Sequence, residues 1–325
     1  MYCSIYIFEY GYIYILQVIC ITMENKIICL KCKSESIKKD GKRKTENRGL
    51  IQRYKCLECS HRFVLDDGFF RMRNSPQKIT QAVDLFYRGA STRGTQEHLG
   101  MFYPHNADHS TILRWVWKYA KIIGKFTDKL KLNLSEEIQF DEIEYKRRKS
   151  HIKGSKGTED NFFIDGVCPQ TRFMIASEYA RSRNKKKITS IISSAKERTT
   201  SKVLMVTTDG LYSYIGAVKK VFGYNLKEGK FNVFHNRVVT SKEEDVFNYP
   251  IERLHNNVRA RTKVFRGFHG SLRSANLILK GYEIFYNFIR INQAINKCPY
   301  ELATDLKLTQ NNKWLELIQK SKGAI

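Results

Sequence analysis

Two Cys-x-x-Cys pairs, Cys29-Leu30-Lys31-Cys32 and Cys56-Leu57-Glu58-Cys59, constrain the fold of this chain more tightly than any other feature. Each pair makes a tight turn that presents two sulfurs. Four thiolates complete the tetrahedral shell of a structural Zn²⁺ and leave no open position on the metal. Residues 33–55 between the pairs slightly exceed the usual spacing of ~15–20. They are rich in Lys and Arg and contain Gly41 and Gly49, consistent with a basic hairpin. A redox pair is the rival reading, but one motif would suffice for that, and no βαβ context surrounds either. Residues 23–70 are therefore expected to form a zinc ribbon held by Cys29, Cys32, Cys56 and Cys59. Cys3, Cys20, Cys168 and Cys298 are isolated and read as ordinary apolar positions.

Residues 1–22, ahead of this module, are strongly apolar and rich in Tyr and Ile. They lack a basic leading region and a small-residue cleavage site, and Glu9 interrupts them. Their length suits a membrane span, yet Met23-Glu24-Asn25-Lys26 opens a conventional soluble sequence. The reading is a start codon set too early, with a real hydrophobic extension as the alternative. No later segment is apolar enough to cross a bilayer, so a cytoplasmic protein without a membrane partner is expected.

After the cysteines the period becomes helical. Pro76 opens a helix to residue 87 with Ile79, Ala82, Val83 and Phe86 on one face, and Gly89 ends it. Ser91 or Thr92 can cap a second helix to Leu99, closed by Gly100, and a third runs from Asp108 to about Ile123. Three short helices with a capped turn between them fit a helix-turn-helix over residues 76–125. The third helix would enter a major groove, with Ser110, Thr111 and Arg114 as contacts. Trp115 and Trp117 read as at least partly core.

From residue 135 strands and helices mix. Strands are expected at 138–145, at 162–167 and 172–179 as a hairpin across Cys168-Pro169-Gln170, at 203–207 and at 231–234. Helices are expected at 185–198, 211–222 and from Ile251 onward. Three acids fall on different elements of this pattern. Asp141 lies in the alternating first strand, Asp209 ends the apolar run before Gly210, and Glu252 opens the basic late helix. Acids distant in sequence that converge in space are what a two-metal phosphodiester-cutting site requires. Lys and Arg number 57 against 32 acids, a formal charge of +25. Such an excess favours a polyanion, and nucleic acid is the usual one.

Three stretches carry a family resemblance: Ser110-Thr111-Ile112-Leu113-Arg114-Trp115-Val116, Thr207-Thr208-Asp209-Gly210-Leu211-Tyr212-Ser213-Tyr214, and Ile251-Glu252-Arg253-Leu254-His255-Asn256-Asn257-Val258-Arg259-Ala260-Arg261-Thr262-Lys263. The last continues into Arg266-Gly267-Phe268, Tyr286-Asn287-Phe288-Ile289-Arg290 and Pro299-Tyr300-Glu301-Leu302-Ala303. With these, residues from about 76 to 305 resemble prokaryotic insertion-sequence transposases of the DDE class, in the group with a single integrase-like core. The resemblance implies an α/β ribonuclease-H-like mixed sheet flanked by helices over 135–295, with a C-terminal tail at 296–325. It implies that Asp141, Asp209 and Glu252 bind two Mg²⁺ or Mn²⁺ ions and that the chain cuts and joins DNA. Its partners would be the element's terminal repeats and target DNA, handled by a homodimer or larger synaptic assembly. His269 stands where the family commonly has lysine, and the interval from Asp209 to Glu252 is longer than in compact members.

Neighbouring residues read otherwise. Glu142 and Glu144 alternate away from Asp141 and read as solvent-facing or salt-bridged. Asp165 reads as a turn residue before Gly166, and His235 as a structural histidine. Basic runs at Lys146-Arg147-Arg148-Lys149, at 181–187 and at 259–266 flank the acids, and Arg253, Arg259 and Lys263 are favoured as contacts to the DNA backbone. Two other readings remain: a DNA-binding regulator using only the ribbon and helix-turn-helix, and a non-transposing nuclease of the same fold.

Overall fold

The computed structural model describes residues 27–45, 48–70, 72–103, 107–148, 157–239, 249–263, 268 and 271–324, and the backbone of 4–9 and 12–17. Lys149, Arg266, Gly267 and His269, singled out from sequence, lie outside the described residues, as do Cys3 and Cys20. The chain forms two compact units, Met1–Leu65 and Asp66–Ile325.

In the first unit, β1 (Ser4–Glu9) and β2 (Tyr12–Gln17) pair as an antiparallel hairpin, in keeping with the strand preference of Ile and Tyr. A separate antiparallel sheet has the order β3-β4-β5, from β3 (Ile37–Thr45), β4 (Gly49–Cys56) and β5 (Arg62–Phe63). The basic hairpin is thus β3–β4. Its register shifts between Lys39 and Lys42, where Gly41 takes a φ of +66° that a side chain would resist. Among the described side chains of this unit only Cys29, Cys56 and Phe63 are buried. So small an apolar core cannot hold three strands by itself.

The second unit opens with α1 (Pro76–Arg88), α2 (Thr92–Phe102) and α3 (His109–Thr127). The caps are those anticipated. Ser91 Oγ accepts from Gly94 N, Asp108 Oδ1 from Ser110 N, and Gly89 at φ +123° closes α1. Gly100 does not end α2. The helix runs on to Phe102, because a glycine in mid-helix costs only about 1 kcal/mol and Tyr103 N completes the last turn on Leu99 O.

A five-stranded sheet follows. Its strands are β6 (Glu137–Arg148), β7 (Thr158–Val167), β8 (Met174–Ala180), then, after α4 (Lys185–Arg198), β9 (Met205–Asp209). After α5 (Tyr212–Phe222), the short β10 (Tyr224–Asn225) and β11 (Lys230–Phe231) pair as a hairpin, and β12 (Phe234–Val238) completes the sheet. The order is β12-β9-β6-β7-β8, with β6, β7 and β8 antiparallel and β6, β9 and β12 parallel. The strand expected at 231–234 begins instead at Phe234. The preceding residues close a turn in which Tyr224 and Phe231 meet edge to face and Asn232 Nδ2 bonds Phe222 O.

The central strand is buried at Ile138, Gln139, Phe140, Glu142 and Ile143, so both faces of the sheet are covered. Ile188, Ile191, Ile192 and Ala195 of α4 pack on the sheet at i, i+3, i+4 and i+7. Each of the three isoleucines contributes roughly 1.5–3 kcal/mol by burial. The chain continues as α6 (Tyr249–Lys263), α7 (Leu272–Ile284), a π-helical turn at Phe285–Ile289, α8 (Tyr300–Ala303) and α9 (Lys313–Lys320). The segment 296–325, expected as a tail, returns to α1: Trp314 is buried and its Nε1 donates to Asp84 Oδ1 at 3.1 Å. No helix among the described residues is long and apolar enough to cross a membrane.

Strand β8 is an edge of the sheet, and two asparagines stand in for a sixth strand. Asn276 spans the backbone N and O of Tyr179, and Asn287 those of Met174, each bond 2.8 Å long. Asn287 is fully buried. Asn287→Ala should strand two buried backbone groups and cost about 2–4 kcal/mol, read as a lower denaturation midpoint in urea. A midpoint unchanged within error would show that the strand edge needs no such pairing.

Candidate metal centres

The two cysteine turns are near copies of each other. Cys29 N donates to Ser34 O and Cys56 N to His61 O, and the residue after each second cysteine, Lys33 or Ser60, takes a positive φ of 64° or 56°. The copies face one another. Cys29 Sγ lies 3.5 Å from Cys59 Sγ, Cys32 Sγ 3.5 Å from Cys56 Sγ, and all four sulfurs lie within 4.8 Å. Sulfurs ~2.3 Å from a tetrahedral zinc sit about 3.8 Å apart, so these four can hold a zinc ion.

The thiols are electrostatically unlike. Backbone N–H groups of Cys32 and Lys31 pull Cys29 down to about 6, against the opposing effect of burial. The Cys59 backbone likewise lowers Cys56. The Ser34 backbone lowers Cys32 too, but hydrogen bonds with the neighbouring thiols outweigh it and push that group up to about 12. Four sulfurs gathered this closely are the donor set a dication completes.

The second centre arises from strand register. The parallel ladder between β6 and β9 runs from Glu137↔Met205 to Phe140↔Thr208. One residue further, Asp141 and Asp209 stand side by side where β9 stops. Oxygen atoms of Asp141, Glu142 and Asp209 lie within 4.8 Å of one another, and these three can hold a metal ion. The Asp209 Oδ1 also accepts from Leu211 N at 3.0 Å, turning the chain into α5.

Glu142 differs from its sequence reading. It alternates away from Asp141 and is salt-bridged, but it is not solvent-facing. Its side chain is 3% exposed, Arg183 Nη1 reaches Oε1 at 2.6 Å, and Tyr214 Oη donates to Oε2 at 2.9 Å. Because β9 ends here, a long side chain on one face and a short one on the other meet around the sheet edge. Burial raises Glu142, opposed by the Arg183 hydrogen bond, and burial raises Asp141 to about 7, opposed by His255.

Asp165 also differs. It is no turn residue but lies inside β7, fully buried, directly across from Asp141. His255 on α6 joins the two, with Nδ1 3.4 Å from Asp141 Oδ2 and Nε2 2.6 Å from Asp165 Oδ1. Burial alone would lower His255, but Asp165 and Asp141 outweigh it and the ring is raised. The sequence reading passed over His255, although its place three residues after Glu252 on one helix was a usable signal.

Glu252 lies outside the carboxylate group, exposed on α6 one turn before His255. Arg253, Arg259 and Lys263 are exposed on the same helix. On α3, Arg114 Nη2 bonds Ser110 Oγ and Thr111 Oγ1, so the three expected groove contacts form one polar patch. The basic runs are partly spent inside the fold. Arg147 is buried against Glu159, Arg183 pairs with Glu142, and Arg261 stacks over the Phe86 ring at 4.3 Å. His235 lies within β12, its Nε2 3.0 Å from Thr208 Oγ1, and burial lowers it to about 4. That fits a structural histidine.

Compared with known proteins, the chain matches no family model and no curated sequence.

Proposed function

We propose that this chain is a DNA transposase of the insertion-sequence DDE class, binding the ends of a mobile element and cutting and joining DNA with a divalent metal. The observation that carries the reading is the meeting of Asp141 and Asp209, with Glu142, at the end of two parallel strands. The strand order supports it: three antiparallel strands followed by two parallel to the first, with the first in the centre, is the arrangement expected of a ribonuclease-H-like core. The charge of +25 supports a polyanionic substrate.

In this reading Asp141 and Asp209 hold the metal, and Glu252, exposed on α6, is the third ligand. Bound Mg²⁺ or Mn²⁺ would activate the attacking oxygen and stabilise the departing one. His255 is a positioning residue that keeps Asp141 aimed, with Asp165 as its anchor. Glu142, with both oxygens already engaged, maintains the frame around Arg183 and Tyr214. The helices α1 to α3 recognise the element ends through Ser110, Thr111 and Arg114, with the zinc unit as a second DNA contact. Arg253, Arg259 and Lys263 bear on backbone phosphates. Two copies or more bring two ends together.

A strand-transfer assay on element-end DNA tests the whole reading, and inverted repeats flanking the gene would separate a transposase from a plain nuclease. The third ligand has its own test. Glu252→Gln should lower cleavage at least ~100-fold with an unchanged melting temperature, as loss of a metal ligand does. Glu142→Gln should instead cost about 1–3 kcal/mol of stability. Full cleavage by the Glu252 variant, with a folded but inactive Glu142 variant, would make Glu142 the ligand.

A further inference from the structure

The side of α6 that carries Arg253, Leu254 and Asn257 lines a small cavity of about 50 Å³. That is room for a few waters or one tetrahedral oxyanion. Its other walls bring in Arg172 from the β7–β8 turn and Tyr286, Arg290 and Asn292 from the chain around the π-helical turn. Three arginines from three separate segments thus line it, Arg290 also hydrogen-bonding the Tyr282 hydroxyl, and among the described residues no carboxylate lines the cavity.

Two of the three walls have unusual backbone. Arg172 takes a φ of +59°, which a non-glycine residue adopts only when its surroundings impose it. The turn fixes it there, with Arg172 N on Cys168 O and Cys168 N on Phe173 O. The Arg172 Nε is nevertheless buried without a hydrogen-bond partner. Arg290 follows a π-turn closed by its own N on Phe285 O at 2.9 Å. Such turns are rare and concentrate at functional sites. A buried guanidinium donor left open, with two more arginines lining the same cavity, suits an anion with several acceptor oxygens.

We propose that this cavity seats one backbone phosphate of the DNA, gripped by Arg172, Arg253 and Arg290. The assignment rests on the DNA-processing reading above and adds a subsite to it. One arm of the grip, Arg253, lies on the helix that carries Glu252 and His255, so a seated phosphate would fix the strand relative to that helix. Arg253 was expected to touch phosphate; Arg172 and Arg290 join it only through the fold.

The test is fluorescence anisotropy of the full chain on a labelled duplex across a series of KCl concentrations. The variants are Arg172→Gln/Arg290→Gln and the exposed Arg253→Gln, each with a charge-matched control, Lys220→Gln/Lys227→Gln for the double and Lys220→Gln for the single. Both pocket variants should bind about tenfold more weakly at moderate salt, with the slope of log affinity against log salt reduced by about 1. Each control should move less. Pocket variants that match their controls in affinity and slope would overturn the proposal. So would a site that inorganic phosphate stabilises thermally while DNA affinity ignores the variants. If the native chain cuts DNA with Mg²⁺ but the pocket variants bind like their controls, only this subsite fails. If the variants weaken binding and the native chain never cuts, the subsite stands and the catalytic reading fails.

Discussion

Asp209→Asn should abolish DNA joining while leaving the fold intact. The amide keeps the Oδ1 acceptor that receives Leu211 N at 3.0 Å, so the turn into α5 survives. What is lost is one negative charge from a group whose oxygens lie within 4.8 Å of those of Asp141 and Glu142. A carboxylate that holds a hard divalent cation is not replaced by a neutral amide. A fall of at least ~10³-fold is expected, equivalent to about 4 kcal/mol of lost transition-state stabilisation. The assay is strand transfer with labelled element-end DNA and Mg²⁺, run beside a melting curve. Joining at the native rate by a folded Asp209→Asn variant would sink the catalytic assignment.

Cys56→Ser should have the second largest effect, and on a different property. In the first unit the buried described side chains are Cys29, Cys56 and Phe63. Binding energy for structural zinc in such small modules is roughly 10–16 kcal/mol, far more than one buried aromatic supplies. The variant should lose its zinc by elemental analysis, and residues 27–65 should become an early target of limited proteolysis. Zinc content equal to the native chain would refute the four-cysteine site. Cys168→Ser, at a thiol outside the cluster, is the matched control.

Local signals in the chain were reliable where the physics is local. The knuckles at Cys29 and Cys56 need only a few residues each to turn, and both turn as expected. The caps at Ser91 and Asp108 and the stop at Gly89 act within one helical turn. The helix at 185–198 has the bounds its pattern indicated. Boundaries failed where distant packing decided them. The start of β12 moved to Phe234 because a hairpin between Tyr224 and Phe231 consumes the residues before it. The last residues of the chain pack on α1 because Trp314 finds Asp84, a partner no local pattern announces.

The amino-acid sequence alone determined that four sulfurs would gather and that Asp141 and Asp209 would end up on strands of one sheet. Spacing carries the first, because a Cys-x-x-Cys turn is a property of a short stretch of backbone; the second came from the order of the elements and the family resemblance. Only the tertiary structure decided which groups surround Asp141. Glu142 reaches the same edge from the opposite face, and Asp165 comes level with Asp141 through the β6–β7 register. His255 bridges the two carboxylates from a helix far along the chain. Alternation says which face a side chain leaves from. Where a strand ends and a helix crosses, register and side-chain length decide what it meets.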